Sequence, residues 1–115
     1  MKNLFQEVEG LGLGSINLLA LITKNSSDVV FYANINGKLQ QSNTIVESGA
    51  FDPARMRDFY LRVADIIRAS SSFKPEKMNV VTISGSQFNI SYMDLDCSVF
   101  SLKKTWKESF SGTSN

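Results

Sequence analysis

Histidine is absent from the 115 residues, and cysteine occurs once, at Cys97. Without histidine neither a Ser-His nor a Cys-His nucleophile pair can form, and the usual transition-metal site loses its imidazole ligands. A single cysteine permits no disulfide within the chain, and a small domain without such a staple points to a reducing compartment. An excess of charge of either sign is missing too. Lys and Arg together number 12 against 11 Asp and Glu, a net charge of +1, which argues against nucleic acid or a membrane surface as the main partner. No long hydrophobic run occurs: the stretch from Ile16 to Ile22 is broken by Asn17 and is too short to span a bilayer, and Met1 to Phe5 lacks the apolar core of a signal peptide. The expectation is a cytoplasmic protein without catalytic residues, cofactor, metal or membrane insertion.

What is present is an ordinary globular composition, 43% apolar and 20% charged, on a chain long enough for one core. Leu4, Phe5, Val8 and Leu11 recur at helical spacing until Gly10, Gly12 and Gly14 interrupt them, so residues 2–9 read as a short helix followed by a linker. Ser15 can cap a segment in which Ile16, Leu19, Ala20 and Ile22 share a face. That stripe favours a helix over 16–24; Leu18 and Leu21 blur it, and a buried strand is the alternative. Val29 to Ile35 is β-branched and aromatic, Asn36-Gly37 supplies the two positive φ angles of a type I′ turn, and Lys38 to Thr44 returns as a more polar strand. Val29 and Phe31 point one way and Val30 and Tyr32 the other, so both faces of the sheet are expected to be covered.

After a loop over Glu47 to Phe51, Asp52 reads as an N-cap and Pro53 as the first residue of a helix. Met56, Phe59, Tyr60, Val63 and Ile67 form its core stripe, and Ser70 to Ser72 end it. Arg55, Asp58, Arg62 and Asp65 alternate in sign on its outer face, pairs worth only about 0.2–0.5 kcal/mol each. Met78 to Ser84, Gln87 to Asp94 and Cys97 to Lys104 read as a three-stranded meander, reversing at Gly85-Ser86 and Leu95-Asp96. The tail from Glu108 reads as polar, and as frayed beyond Phe110.

Each motif has a plain reading beside the chemical one. Gly10-Leu11-Gly12-Leu13-Gly14 suggests a phosphate loop, but Glu7 and Glu9 precede it and would repel phosphate; it reads instead as a linker that lets the first helix reorient. Asp94 and Asp96 flank a reversal, where short acidic residues favour turns. Cys97 reads as a packed small hydrophobe. Lys103, Lys104 and Lys107 around Trp106 read as a solvated, edge-protecting terminus. Arg57, Leu61, Ala64 and Arg68 form a separate stripe on the central helix, equally an exposed face or the contact line for a second helix.

The order of these pieces resembles a family. Ser15 to Ile22 followed by Val29 to Leu39, with Asn36-Gly37 between two strands, is similar to the helix–strand–turn–strand opening of Roadblock-type proteins. Asp52 to Ala69 is similar to their central helix, and Asn79 to Ile83 with the later strands to their closing meander. The resemblance implies an α+β, profilin-like α/β/α sandwich: a five-stranded antiparallel sheet with helices on both faces, spanning 15–107 between an N-terminal extension (1–14) and a flexible tail (108–115). It implies a non-enzymatic dimeric adaptor, paired with itself or a homologous subunit, that scaffolds or regulates a small Ras-like GTPase or a motor or signalling complex. It places the dimer edge on Met78, Val80, Val81, Thr82 and Ile83 of the third strand, with Arg57, Leu61, Ala64 and Arg68 as the helix contact. Two rivals stand beside it: a profilin- or PAS-like sensor with a pocket lined by Phe31, Phe59, Phe88 and Phe100, and a small dimeric assembly chaperone.

Overall fold

Seven almost uninterrupted apolar residues, Ile16 to Ile22, decide the architecture. In the computed structural model, which describes residues 2–110, they form strand β1 (Ile16–Ile22) at the centre of one sheet rather than a helix. A strand covered on both faces needs apolar side chains at both parities. Leu18, Ala20 and Ile22 enter one core while Leu19 and Leu21 enter the other. The helical stripe expected over 16–24 is therefore corrected, and with it the helix–strand opening on which the Roadblock resemblance leans.

Helix α1 (Lys2–Gly10) precedes β1; β2 (Ser27–Ile35) and β3 (Lys38–Gln41) follow it as a hairpin. Asn36 and Gly37 hold the positive φ angles, 53° and 84°, that the two-residue turn requires. The chain continues through α2 (Ser42–Glu47), α3 (Pro53–Ala69), β4 (Met78–Ser84), β5 (Gln87–Met93) and α4 (Val99–Phe110). The five strands are antiparallel, in the order β3-β2-β1-β4-β5. The chain thus has an α+β fold with a five-stranded antiparallel sheet and four helices among the described residues.

Helices cover both faces. On one, Leu4, Val8 and Leu11 join Phe59, Val63 and Ile67 of α3, Ile45 of α2 and the inward residues of the sheet. Phe31 and Phe59 lie edge to face at the centre, 5.9 Å apart and inclined by 88°. On the other, Leu19, Leu21, Val30, Met78 and Val80 meet Val99, Leu102 and Trp106. Asp52 caps α3 by accepting from the Ala54 N–H at 3.0 Å, with Pro53 in the first helical position.

Four boundaries differ from the sequence-based expectation. The segment expected as an extension over 1–14 is, over the described residues 2–14, no appendage: α1 is packed into the main core and tied to α3 by Arg62–Glu7 at 2.6 Å and by Arg55 donating to the Gly10 carbonyl at 3.1 Å. The glycine-rich stretch is accordingly a fixed turn, with Gly12 and Gly14 at positive φ. The strand expected over 38–44 ends at Gln41, because the Ser42 hydroxyl accepts the Phe31 N–H and starts α2. The strand expected over Cys97 to Lys104 is the helix α4, which runs through Glu108 to Phe110; the rest of the expected tail lies outside the described residues.

Candidate protein-binding surfaces

The residues expected to form a dimer interface are not brought together. β4 is hydrogen-bonded to β1 on one side and β5 on the other, so it has no free edge. Val81 and Ile83 are buried in the main core, Met78 and Val80 lie under α4, and Thr82 is half-buried. On α3, Ala64 is buried and Arg68 is occupied at home: its Nε donates to the Thr23 carbonyl at 3.0 Å and its Nη2 to the Ser26 carbonyl at 2.8 Å, fastening the β1–β2 turn. Only Arg57 and Leu61 remain on the surface, Leu61 with 54% of its area exposed. The dimer edge expected on β4 is therefore absent; the unpaired borders of the sheet are β3 and β5.

The four phenylalanines proposed for a ligand pocket are also separated. Phe31 and Phe59 fill the main core without exposure, Phe88 is half-buried on the β5 border, and Phe100 projects from α4 on the opposite face. A cleft of about 690 Å³ does exist elsewhere, between α1 and the β4–β5 turn, lined by Phe5, Val8, Glu9, Ile16 and Gly85. Sequence reasoning had no signal for it, since α1 was expected to be detached.

The α4 face is the second surface. Val99, Leu102 and Trp106 dock on the sheet, and Trp106, Phe110 and Tyr32 stack as a trio with ring centres 4.9 to 5.7 Å apart. Lys107 lies 5.5 Å over the Tyr32 ring, and Lys103 pairs with Asp28 at 2.8 Å. The three lysines thus line a helix groove instead of guarding a strand edge. That groove, about 320 Å³, is bordered by Val30, Tyr32, Gln41, Trp106 and the lysines, and Phe100 stands at its rim with 76% of its surface in water. Among the described residues that line it there is no carboxylate, although Asp28 pairs with Lys103, one of the lining lysines. Lysine ammonium groups around apolar and aromatic carbon suit a partner that offers acidic and apolar side chains together.

Titratable groups with displaced pKa values lie away from this groove. The hydrogen bond from Lys77 holds the Asp94 carboxyl below its usual range and raises the Lys77 ammonium, at 2.8 Å. The hydrogen bond to Glu7 similarly raises Arg62. Burial raises the Tyr60 phenol. Among the described residues no three His, Cys, Asp or Glu side chains cluster as metal ligands, and no helix is long and apolar enough to cross a membrane.

No known family model matches the chain, and no curated protein or solved structure is significantly similar to it.

Proposed function

We propose that this chain is a non-enzymatic, dimeric adaptor of the cytoplasm that holds another protein on its α4 face. The observation that carries the reading is Phe100, a large aromatic side chain left 76% exposed beside a lysine-lined apolar groove. An exposed aromatic flanked by cations is the composition of a contact surface more than of a solvated helix. A small Ras-like GTPase, or a motor or signalling complex containing one, is the partner class that the Roadblock resemblance suggests. Support for that narrower reading is the coarse architecture: one antiparallel five-stranded sheet with helices on both faces.

The test is affinity capture with the full chain beside its Phe100→Asp variant, in the presence of GDP or a non-hydrolysable GTP analogue. The reading expects a Ras-like GTPase, or a defined complex containing one, with the parent chain and its loss with the variant, whose circular dichroism should be unchanged. Identical recovery by both chains would discard the α4 face. Reproducible recovery of no such GTPase would discard the narrower partner class.

A further inference from the structure

We propose that β5 is a self-pairing edge, and that two copies of this chain join along it into one continuous ten-stranded antiparallel sheet. The inference deepens the dimeric half of the function proposed above and is independent of what binds α4.

The geometry of β4 and β5 fixes which backbone groups are free. A two-residue turn, Gly85-Ser86, connects them, so its flanking residues Ser84 and Gln87 form a hydrogen-bonded pair. The Gly85 N–H donates to the Ile16 carbonyl at 3.3 Å, placing the odd-numbered positions of this strand toward β1 and the even ones toward β5. Gln87, Asn89, Ser91 and Met93 therefore spend their N–H and C=O groups on β4. Those of Phe88, Ile90 and Tyr92 point to the open border.

Within the strand that border carries no guard; at one end Lys74 Nζ lies 4.1 Å over the Tyr92 ring, whose hydroxyl donates to the Ser72 carbonyl, and these contacts leave the backbone groups of Phe88 and Ile90 untouched. The register runs without a bulge from Ser84↔Gln87 to Met78↔Met93, and the strand QFNISYM contains no charge and no proline. Soluble proteins commonly protect such an edge with lysine, proline, a bulge or a short strand. The other terminal strand, β3, has such features: four residues, opening on exposed Lys38.

The sequence is also complementary to itself. In a two-fold antiparallel pairing centred on Ile90, Ile90 faces Ile90 of the second copy, Phe88 faces Tyr92, Asn89 faces Ser91 and Gln87 faces Met93. All three outward residues then fall in hydrogen-bonded pairs. Phe88, Ile90 and Tyr92, now half-buried on the side of α3, would build an aromatic and aliphatic ladder across the axis. Asp94 would lie opposite Ser86, so no like charges meet. Beside Phe88 a cleft lined by Ile66 and Ala69 is left open by the single chain.

Residue-resolved amide hydrogen exchange on the full chain, measured across a concentration series with sedimentation equilibrium in parallel, tests this. The expected result is an alternating pattern. Asn89 and Ser91 amides stay protected at every concentration; Phe88, Ile90 and Tyr92 gain protection as the two-chain species forms and lose it on dilution. Ile90→Pro, which removes an outward N–H and no β4 bond, should sediment as one chain. A one-chain species at every concentration, or a two-chain species in which those three amides remain unprotected, would overturn the proposal. The exchange readout stands even if Ile90→Pro does not fold. A chain that sediments as a monomer yet still captures a GTPase would refute β5 pairing alone, and a β5 dimer that captures none would refute the partner class alone.

Discussion

Asn79, buried at the start of β4, donates through Nδ2 to the carbonyl of Ile22 at the end of β1, at 3.1 Å. The same amide donates to the carbonyls of Lys74 and Lys77, and its Oδ1 accepts the Lys74 N–H at 2.8 Å. One side chain thereby satisfies the α3–β4 connection and the last turn of β1 together. Replacing it with leucine, of similar volume, would strip the part-buried Lys74 N–H of its acceptor and the Ile22 and Lys77 carbonyls of this donor, while the Lys74 carbonyl keeps the Lys77 N–H at 3.1 Å; an unsatisfied buried group costs about 1–3 kcal/mol. Asn79→Leu should therefore lower unfolding stability by about 2–4 kcal/mol. Asn79→Asp should be worse at neutral pH, because a carboxylate would face three carbonyl oxygens. Urea denaturation at pH 7 measures both; a Leu variant as stable as the parent would refute the role.

The N-terminal helix makes a second prediction. Leu4 is fully buried against α3 and the sheet although residues 1–14 read from sequence as an extension. Truncating a buried leucine costs about 2–5 kcal/mol. Leu4→Ala should fall in that range and Gln6→Ala, on the exposed side, should stay within about 0.5 kcal/mol. Equal and small effects at both positions would mean that α1 is not part of the core.

How much of this was legible follows from the signals themselves. The Asn36-Gly37 hairpin and the Asp52-Pro53 helix start were readable because turn and cap chemistry are local. The five-stranded antiparallel sheet was anticipated, but with Cys97 to Lys104 in the place that Ile16 to Ile22 occupies. The two errors have different origins. A short run that is apolar all round carries no period, so only its length, seven residues between Ser15 and Thr23, favours a strand. For α4 the signal existed: Val99, Leu102, Trp106 and Phe110 fall on one helical face, and the Ser98 hydroxyl caps the helix by accepting the Ser101 N–H at 3.1 Å. The β-branched and aromatic start of the segment outweighed it. The resemblance places an edge on β4 that β1 in fact occupies, and so leaves β5 unrecognised as the border. Strand order is a tertiary property, and nothing local in β5 announces it.

The Lys77–Asp94 pair gives a pH prediction. Hydrogen bonding to Lys77, with its charge, lowers the Asp94 pKa, and the same contact raises that of Lys77. For a carboxylate depressed in the folded state, the stabilisation is complete above its ordinary pKa and is lost as pH falls through the folded value. For the raised ammonium it is present below the ordinary lysine pKa and is lost as pH rises through the higher one. Both groups are solvent-exposed, so the effect belongs to titration midpoints and not to a measurable change in stability. In carboxyl-detected NMR, Lys77→Gln should move the Asp94 midpoint up toward the ordinary aspartate value of about 3.9. An unchanged midpoint would show that the pair is not formed in solution.

Helix α4 should come off before the sheet opens. None of its residues is fully buried, whereas β1 is buried along nearly its whole length. Its attachment consists of half-buried Val99, Leu102 and Trp106, the Lys103–Asp28 pair, and the Tyr32, Trp106 and Phe110 rings. An exposed ion pair contributes about 0–1 kcal/mol and an aromatic pair about 0.5–1.5 kcal/mol beyond its buried area, so local release of α4 should cost less than global unfolding. Trp106 is the only tryptophan, and its fluorescence therefore reports α4 alone. In a urea titration its emission should shift to longer wavelength at a lower denaturant concentration than the loss of far-ultraviolet circular dichroism. Tyr32→Ala should widen the gap by removing the ring on which Trp106 and Phe110 rest. Coincident transitions by both probes, in the parent and in Tyr32→Ala, would show instead that α4 and the sheet unfold as one unit.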